Sequence, residues 1–212
     1  MAAVLDLGLM PYESCAELQR ELLEGVALGT KPNTLIFVEH PSVYTLGANF
    51  HESNLLLSRE EYTKRGIEIH TTERGGDITF HSPGQLVIYP IFNIEEFGKD
   101  LHKWLRDLEE AMIVALDSVG LSANRFAPNT GVWIGSKKVA AIGIKVRKWV
   151  SMHGIALNCC NDLEPFDWII PCGIHGYGVT SISNELCRNV STAELKPKVL
   201  KAFTDTFCLE FD

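Results

Sequence analysis

The chain is short of positive charge and lacks the marks of secretion, membrane insertion and structural zinc. Its 212 residues hold 19 Lys and Arg against 27 Asp and Glu, a net charge of -8, which argues against general nucleic-acid binding. No apolar run approaches the roughly 20 residues of a transmembrane helix. The start, Met1-Ala2-Ala3-Val4-Leu5-Asp6, shows no basic region followed by a long apolar one, and it is not an Arg-rich amphipathic stretch. No secretory signal or transit peptide is therefore visible. The 6 cysteines, Cys15, Cys159, Cys160, Cys172, Cys187 and Cys208, form no Cys-x-x-Cys pair. That argues against a zinc ribbon or thioredoxin motif, no metal site is expected, and free thiols in a reducing compartment are the simplest reading. With no repeat, low-complexity segment or linker, residues 1–212 read as a single domain.

What is present is the pattern of an α/β protein, α+β in arrangement, with a mixed or largely antiparallel sheet flanked by helices. Residues 4–9 read as a first strand. A helix follows from Pro11 and Tyr12 to about Leu28, with Leu18, Leu22, Leu23 and Val26 on one stripe and Gly29 after it. Residues 34–38 form a buried-looking strand that runs into Glu39-His40-Pro41, where His40 reads as a structural loop residue. Ser58 with Glu61 fits a capping box for a short helix ended by Gly66, and Ser191 with Glu194 fits a second, opening a helix to about Phe207. Leu101, Trp104, Leu105, Leu108, Met112, Ala115, Leu116 and Val119 recur at helical spacing as one core stripe. Strands are expected over 68–72, 130–134, 138–146 and 149–157, with a turn at Gly135-Ser136.

Three glycine-rich or polar punctuations interrupt these strands, and loops of that kind are where active sites tend to lie. Cys172, between Pro171 and Gly173, is the best nucleophile candidate, because a nearby cation can shift a thiol toward the nucleophilic thiolate. Its activator is His175, His153, His81 or a lysine, and spacing does not choose among them. Lys137 and Lys138 begin the apolar strand Val139-Ala140-Ala141-Ile142-Gly143-Ile144, where partial desolvation would suit a lysine to proton transfer. From Val132 to Asn161 there is no acidic residue, whereas Lys137, Lys138, Lys145, Arg147 and Lys148 are basic. That reads either as a solvated face or as a docking surface for an acidic protein.

The chain is organised around Arg74-Gly75-Gly76-Asp77-Ile78-Thr79-Phe80-His81-Ser82-Pro83-Gly84-Gln85-Leu86-Val87-Ile88-Tyr89-Pro90. Its second half, bounded by Gly84 and Pro90, reads as a buried strand. The Gly75-Gly76 pair permits close backbone approach or positive φ. Alone, the stretch also fits a bulged hairpin without chemistry.

Together with Glu39-His40-Pro41 through Leu46-Gly47, Thr130-Gly131-Val132-Trp133, Lys138-Val139-Ala140-Ala141-Ile142-Gly143, Met152-His153-Gly154-Ile155-Ala156-Leu157-Asn158 and Pro171-Cys172-Gly173-Ile174, it resembles the ordered blocks of the octanoyl-acyl carrier protein:protein N-octanoyltransferases of lipoate biosynthesis. One departure is Ser82, where that family commonly has glycine.

The resemblance implies a biotin/lipoate protein ligase-like fold. It implies transfer of octanoate from acyl carrier protein to a lysine of lipoyl domains, in 2-oxoacid dehydrogenase E2 subunits and glycine cleavage H protein. By the family's pattern Cys172 carries the acyl group as a thioester and Lys138 is its partner in a cysteine–lysine dyad. The acyl pocket would be lined by Arg74, Gly75, Gly76, Asp77, Ile78, Thr79, Phe80 and His81, completed by Ala141, Ile142, Gly143, Gly154, Ile155 and Ala156. No cofactor is expected, because octanoyl-phosphopantetheine arrives on the carrier protein already activated. A monomer is expected, cytoplasmic in a bacterium and mitochondrial in a eukaryote, without nucleic acid or membrane as partner. Burying the chain at about 0.8 kcal/mol per methylene would allow selection by length. The competing readings are an ATP-dependent lipoate–protein ligase, a non-catalytic lipoyl-domain binding module and a thioesterase.

Overall fold

The computed structural model describes residues 1–126, 129–170 and 177–212. In chain order the strands are β1 (Ala3–Leu9), β2 (Thr34–Glu39), β3 (Val43–Leu46), β4 (Glu68–Thr71), β5 (Ile78–His81), β6 (Gln85–Ile91), β7 (Asn124–Phe126), β8 (Asn129–Ile134), β9 (Lys137–Arg147), β10 (Val150–Asn158) and β11 (Gly178–Val179). The helices are α1 (Tyr12–Ala27), α2 (Arg59–Lys64), α3 (Leu101–Asp117), α4 (Ile182–Leu186) and α5 (Thr192–Phe207).

Among the described residues the strands form two sheets. The larger has 8 strands in the order β1-β2-β6-β10-β9-β8-β7, with β11 beside β9, and the smaller has 3 in the order β4-β3-β5. Pairing is antiparallel except for β1 with β2, β11 with β9 and β3 with β4, so the sheets are mixed.

The middle strand explains the layering. Every residue of β6 is buried, because its alternate side chains face two different cores. Leu86 and Ile88 pack toward the core that holds Trp104, Leu108 and Met112 of α3 and Val199 and Phe203 of α5. Val87, Tyr89 and Ile91 turn the other way, to the core built with Cys15, Leu22, Leu23 and Val26 of α1. The expected end of this strand at Pro90 is displaced: β6 runs through Pro90 to Ile91. Proline is tolerated there because the β10 ladder is registered only as far as Ile155 opposite Ile88, so no ladder hydrogen bond is taken from the ring.

Helix ends follow local chemistry. Ser58 and Glu61 form the full reciprocal capping box of α2. The Ser191 side chain accepts from the Glu194 N–H at the start of α5. The stripe of α3 is core at Trp104, Leu108, Met112, Ala115 and Leu116, but Leu101 is exposed and Leu105 only half-buried.

The small sheet has its own core, in which Tyr44, Tyr62, Ile78, Phe80, Phe166 and Ile169 meet. It is tied to the chain that follows β10 by the Tyr44 hydroxyl, which donates to the Pro165 carbonyl at 2.6 Å, and by the Tyr62 hydroxyl, which donates to the Trp168 carbonyl at 2.6 Å.

Candidate functional site

A cleft of about 460 Å³ lies between the two sheets. Arg74, Gly75 and Gly76 close one side, Thr79 and His81 of β5 form a wall, and Ala141, Ile142, Gly143, Gly154, Ile155 and Ala156 supply the floor from β9 and β10. The remaining wall comes from Tyr12, Val87, Tyr89 and His153, which the sequence motifs did not mark as pocket residues. Three of the expected lining residues sit elsewhere. Ile78 and Phe80 point into the core of the small sheet, as a period of two along β5 requires once Thr79 and His81 face the cleft. The Asp77 carboxylate turns away to accept hydrogen bonds from the Asn54 side-chain amide and, at 3.4 Å, from the His51 N–H.

The floor is made of glycine and alanine because backbone crosses it closely. A Cβ on Gly143 would lie 2.8 Å from the Gly75 carbonyl oxygen, and one on Gly154 would lie 2.7 Å from Pro90 Cδ. The Gly75 N–H donates to the Ile144 carbonyl at 2.8 Å. It uses an edge of β9 that β8 leaves open, since the β8 register with β9 covers only Lys137 to Ala140. Buried Arg74 holds this strap by donating to the Gly75 carbonyl at 3.0 Å, to the Asp77 carbonyl at 2.9 Å, and to the Thr45 carbonyl.

Hydrogen bonds fix the histidines. The Gln85 amide nitrogen donates to the Phe80 carbonyl at 3.0 Å and to Asn158 Oδ1 at 2.9 Å, which leaves its oxygen facing His81 Nδ1 at 2.7 Å. His81 therefore carries its proton on Nδ1. Its Nε2 accepts from the Thr45 hydroxyl at 3.3 Å, whose oxygen takes the Arg74 Nε–H at 3.1 Å. His40 is the structural residue between β2 and β3 that the sequence suggested: its Nδ1–H donates to the Met10 carbonyl at 2.7 Å and its Nε2 accepts from Tyr89 at 3.0 Å, so it braces the cleft from behind.

Burial pushes His40 down to about 4 and His81 and His153 down to about 3. At neutral pH all three are uncharged, and the wall that His81 and His153 contribute suits an alkyl chain better than proton transfer.

At one end the cleft continues into a recess lined by Lys138, with Thr79, Ala141 and Ala156 common to both. Lys138 is 8% exposed, and its ammonium lies 5.0 Å from the centre of the Trp133 ring, a cation–π contact. Its stem runs beside Gly131, whose N–H donates to the buried Glu109 carboxylate at 3.0 Å. Cys172 and His175 lie outside the described residues. The described chain resumes at Tyr177, and Gly178 and Val179 pair with Lys137 and Lys138.

The basic run is less positive in space than in sequence. Glu24 reaches Lys148 at 2.7 Å and Arg147 at 3.4 Å, and Glu73 reaches Lys145 at 3.8 Å. Among the described residues no group of three His, Cys, Asp or Glu is placed to hold a metal ion. No described helix is long and apolar enough to cross a membrane.

Residues 11–204, which hold the glycine-floored cleft between the two sheets, match the lipoyl protein ligase A/B catalytic domain. The octanoyltransferase of Flavobacterium psychrophilum is 44% identical over 95% of this chain and 94% of its own. That of Syntrophotalea carbinolica is 46% identical over 94% of this chain and 92% of its own. The chain belongs to this family, among its octanoyltransferases, and is an acyltransferase. The fold is shared more widely. A bi-partite lipoate protein ligase from Thermoplasma acidophilum superimposes with a TM-score of 0.75 at 20% identity, covering 100% of this chain and 86% of that one. The biotin protein ligase of Aquifex aeolicus does so at 0.55 and 17%, covering 98% and 69%.

Proposed function

We propose that octanoyl-acyl carrier protein is the donor, that Cys172 carries the acyl group, and that Lys138 moves the protons. The Cys172 thiolate attacks the thioester carbonyl, the carbon–sulfur bond to phosphopantetheine breaks, and the departing thiolate takes a proton from the Lys138 ammonium. The acceptor lysine amine then attacks acyl-Cys172, and the thiolate leaves. Lys138, now neutral, takes the proton released by the amine as the amide forms. The first exchange is nearly balanced because a thioester replaces a thioester, and the second runs downhill to an amide. On this reading neither ATP nor a metal is needed, because the acyl group arrives activated, and one copy of residues 1–212 acts as the catalytic unit.

The observation that supports this best is the continuity of the cleft: a glycine- and alanine-floored space shares Thr79, Ala141 and Ala156 with the recess that holds Lys138. Lipoyl domains are the proposed acceptors, on E2 subunits and H protein. The Thermoplasma structure, which is described as a ligase and its E2 lipoyl domain, lends support. The reaction belongs where acyl carrier protein is found, in bacterial cytoplasm or the mitochondrial matrix. Intact-protein mass spectrometry after mixing with octanoyl-acyl carrier protein tests the scheme. A hydroxylamine-labile octanoyl adduct is expected on the native chain and not on Cys172→Ala. An equal adduct on both, or transfer only with ATP and free acid, overturns it.

A further inference from the structure

The acyl cleft has a neighbour. A second cavity of about 660 Å³ lies beyond its far end, under α1 and against the ends of β9 and β10. Ala16, Leu23 and Met152 give it an apolar back, and Arg20, Lys145 and Arg147 stand among its other walls. Tyr12 and His153 line both spaces, and among the described residues no other does. These two side chains are therefore the party wall. The ordering along the strands agrees. On β10, Asn158 belongs to the Lys138 recess, Ala156 and Gly154 to the cleft, His153 to the wall and Met152 to the second cavity.

His153 is an expensive choice for a plain partition. It sits at φ 58, a left-handed conformation that side chains disfavour and glycine tolerates. Both ring nitrogens are buried with no hydrogen-bond partner among the described residues. Its N–H is held by Gln19 Oε1 at 2.8 Å, so the backbone is fixed independently of the ring. Tyr12 is held by stacking on His81, with centroids 6.2 Å apart and planes at 8°. A strained, unsatisfied side chain at a place where glycine would rest comfortably points to a role in the site.

We propose that Tyr12 and His153 set the upper limit of acyl-chain length, closing the cleft behind an octanoyl chain and denying longer saturated acyl thioesters the second cavity. This rests on the cleft being the acyl pocket. His153→Gly removes the wall while keeping a residue that accepts the backbone conformation, and Tyr12→Val trims the other half.

Each variant is offered an equimolar mixture of octanoyl- and dodecanoyl-acyl carrier protein, and the two adducts are counted by intact-protein mass spectrometry, with circular dichroism as the check on folding. The native chain is expected to take octanoyl at least tenfold over dodecanoyl. Either variant is expected to cut that preference tenfold or more. Ala141→Leu, which narrows the cleft where it meets the Lys138 recess, is the companion variant. An unchanged preference in a folded wall variant, with Ala141→Leu blocking octanoyl loading, overturns the wall alone. Unimpaired octanoyl loading by Ala141→Leu overturns the acyl-pocket assignment and the wall with it.

Discussion

Gly143 and Gly75 meet backbone to backbone: the strap carbonyl sits where a side chain on Gly143 would begin, 2.8 Å from an added Cβ. Neither partner is the end of a flexible side chain, so the contact cannot be relieved by a rotamer change. Gly143→Ala is expected to push the Gly75–Gly76 strap outward and destabilise the fold by about 1–3 kcal/mol. Octanoyl transfer should fall more steeply than the melting temperature, because the strap closes the cleft. Urea unfolding read beside initial rates checks this, and an unaltered rate would show that the strap position is immaterial to transfer.

Lys138 offers a cleaner separation of charge from proton transfer. Lys138→Arg keeps a cation near the Trp133 ring, but a guanidinium does not release a proton in proteins. Both Lys138→Arg and Lys138→Ala are expected to slow transfer by about 100-fold or more. Rates of Cys172 alkylation distinguish the two: Arg should preserve much of the thiolate reactivity at neutral pH, and Ala should lose it. Near-native transfer by Lys138→Arg would remove the proton-shuttle role.

The buried histidines make stability depend on acid. His40, His81 and His153 have folded-state values of about 4, 3 and 3, below the ordinary 6.5, because burial disfavours the charged ring. As pH falls below 6.5 the unfolded chain binds these protons and the folded chain does not, so stability is full above 6.5 and is lost on the way down. Each histidine contributes a slope approaching roughly 1.4 kcal/mol per pH unit while only its unfolded form titrates. The lowered carboxylates Asp6, Glu61 and Asp100 add the same sign, but only as pH nears their own unfolded values of 3.8 and 4.5. Denaturant titrations between pH 7 and 5 should show the histidine slope alone, and His153→Gln should reduce it by up to about one proton's worth. A flat profile in that interval would contradict the buried, neutral assignment.

Glu109 reaches the site from beneath. Glu109 is 1% exposed, and its carboxylate accepts from the Gly131 N–H and meets Arg106 at 2.8 Å and Arg125 at 3.2 Å. Both arginines are open enough to rehydrate, so the main loss in Glu109→Ala is the buried Gly131 N–H. The expected cost is about 1–3 kcal/mol, smaller for Glu109→Gln, which keeps an acceptor. Because Gly131 flanks the Lys138 stem, the alanine variant should also lower the transfer rate. Chemical denaturation together with a rate assay separates the two effects.

Much of this was legible from residue order. Most of the strands, though not β3, β7 or β11, follow from local pattern, as do the α1 and α3 stripes and both helix starts at Ser58 and Ser191, and the glycine-rich blocks brought Arg74, Thr79, His81, Ala141 and Gly154 to one cleft. What was hidden is what depends on distant chain. Tyr12, Val87 and Tyr89 join the cleft from α1 and β6, where they read as ordinary core. Ile78 and Phe80 were carried along with a motif whose own alternation sends them to the other side. The positive run at Lys145 to Lys148 loses much of its charge to Glu24 and Glu73, which lie far off in sequence. The left-handed backbone at His153 has no sequence signal at all, since histidine there gives no warning that glycine would fit.

The two tyrosine hydroxyls that pin the small sheet to Pro165 and Trp168 also set the order in which the molecule comes apart. β5 supplies a wall of the cleft, and the pinned stretch leads directly into the segment that carries Cys172. A fluctuation that detaches the small sheet releases β5 and residues 165–170 together, so these form one cooperative unit. Native-state hydrogen exchange should then give the amides of β3, β5 and Ile170 a common opening free energy, below that of the doubly covered β6.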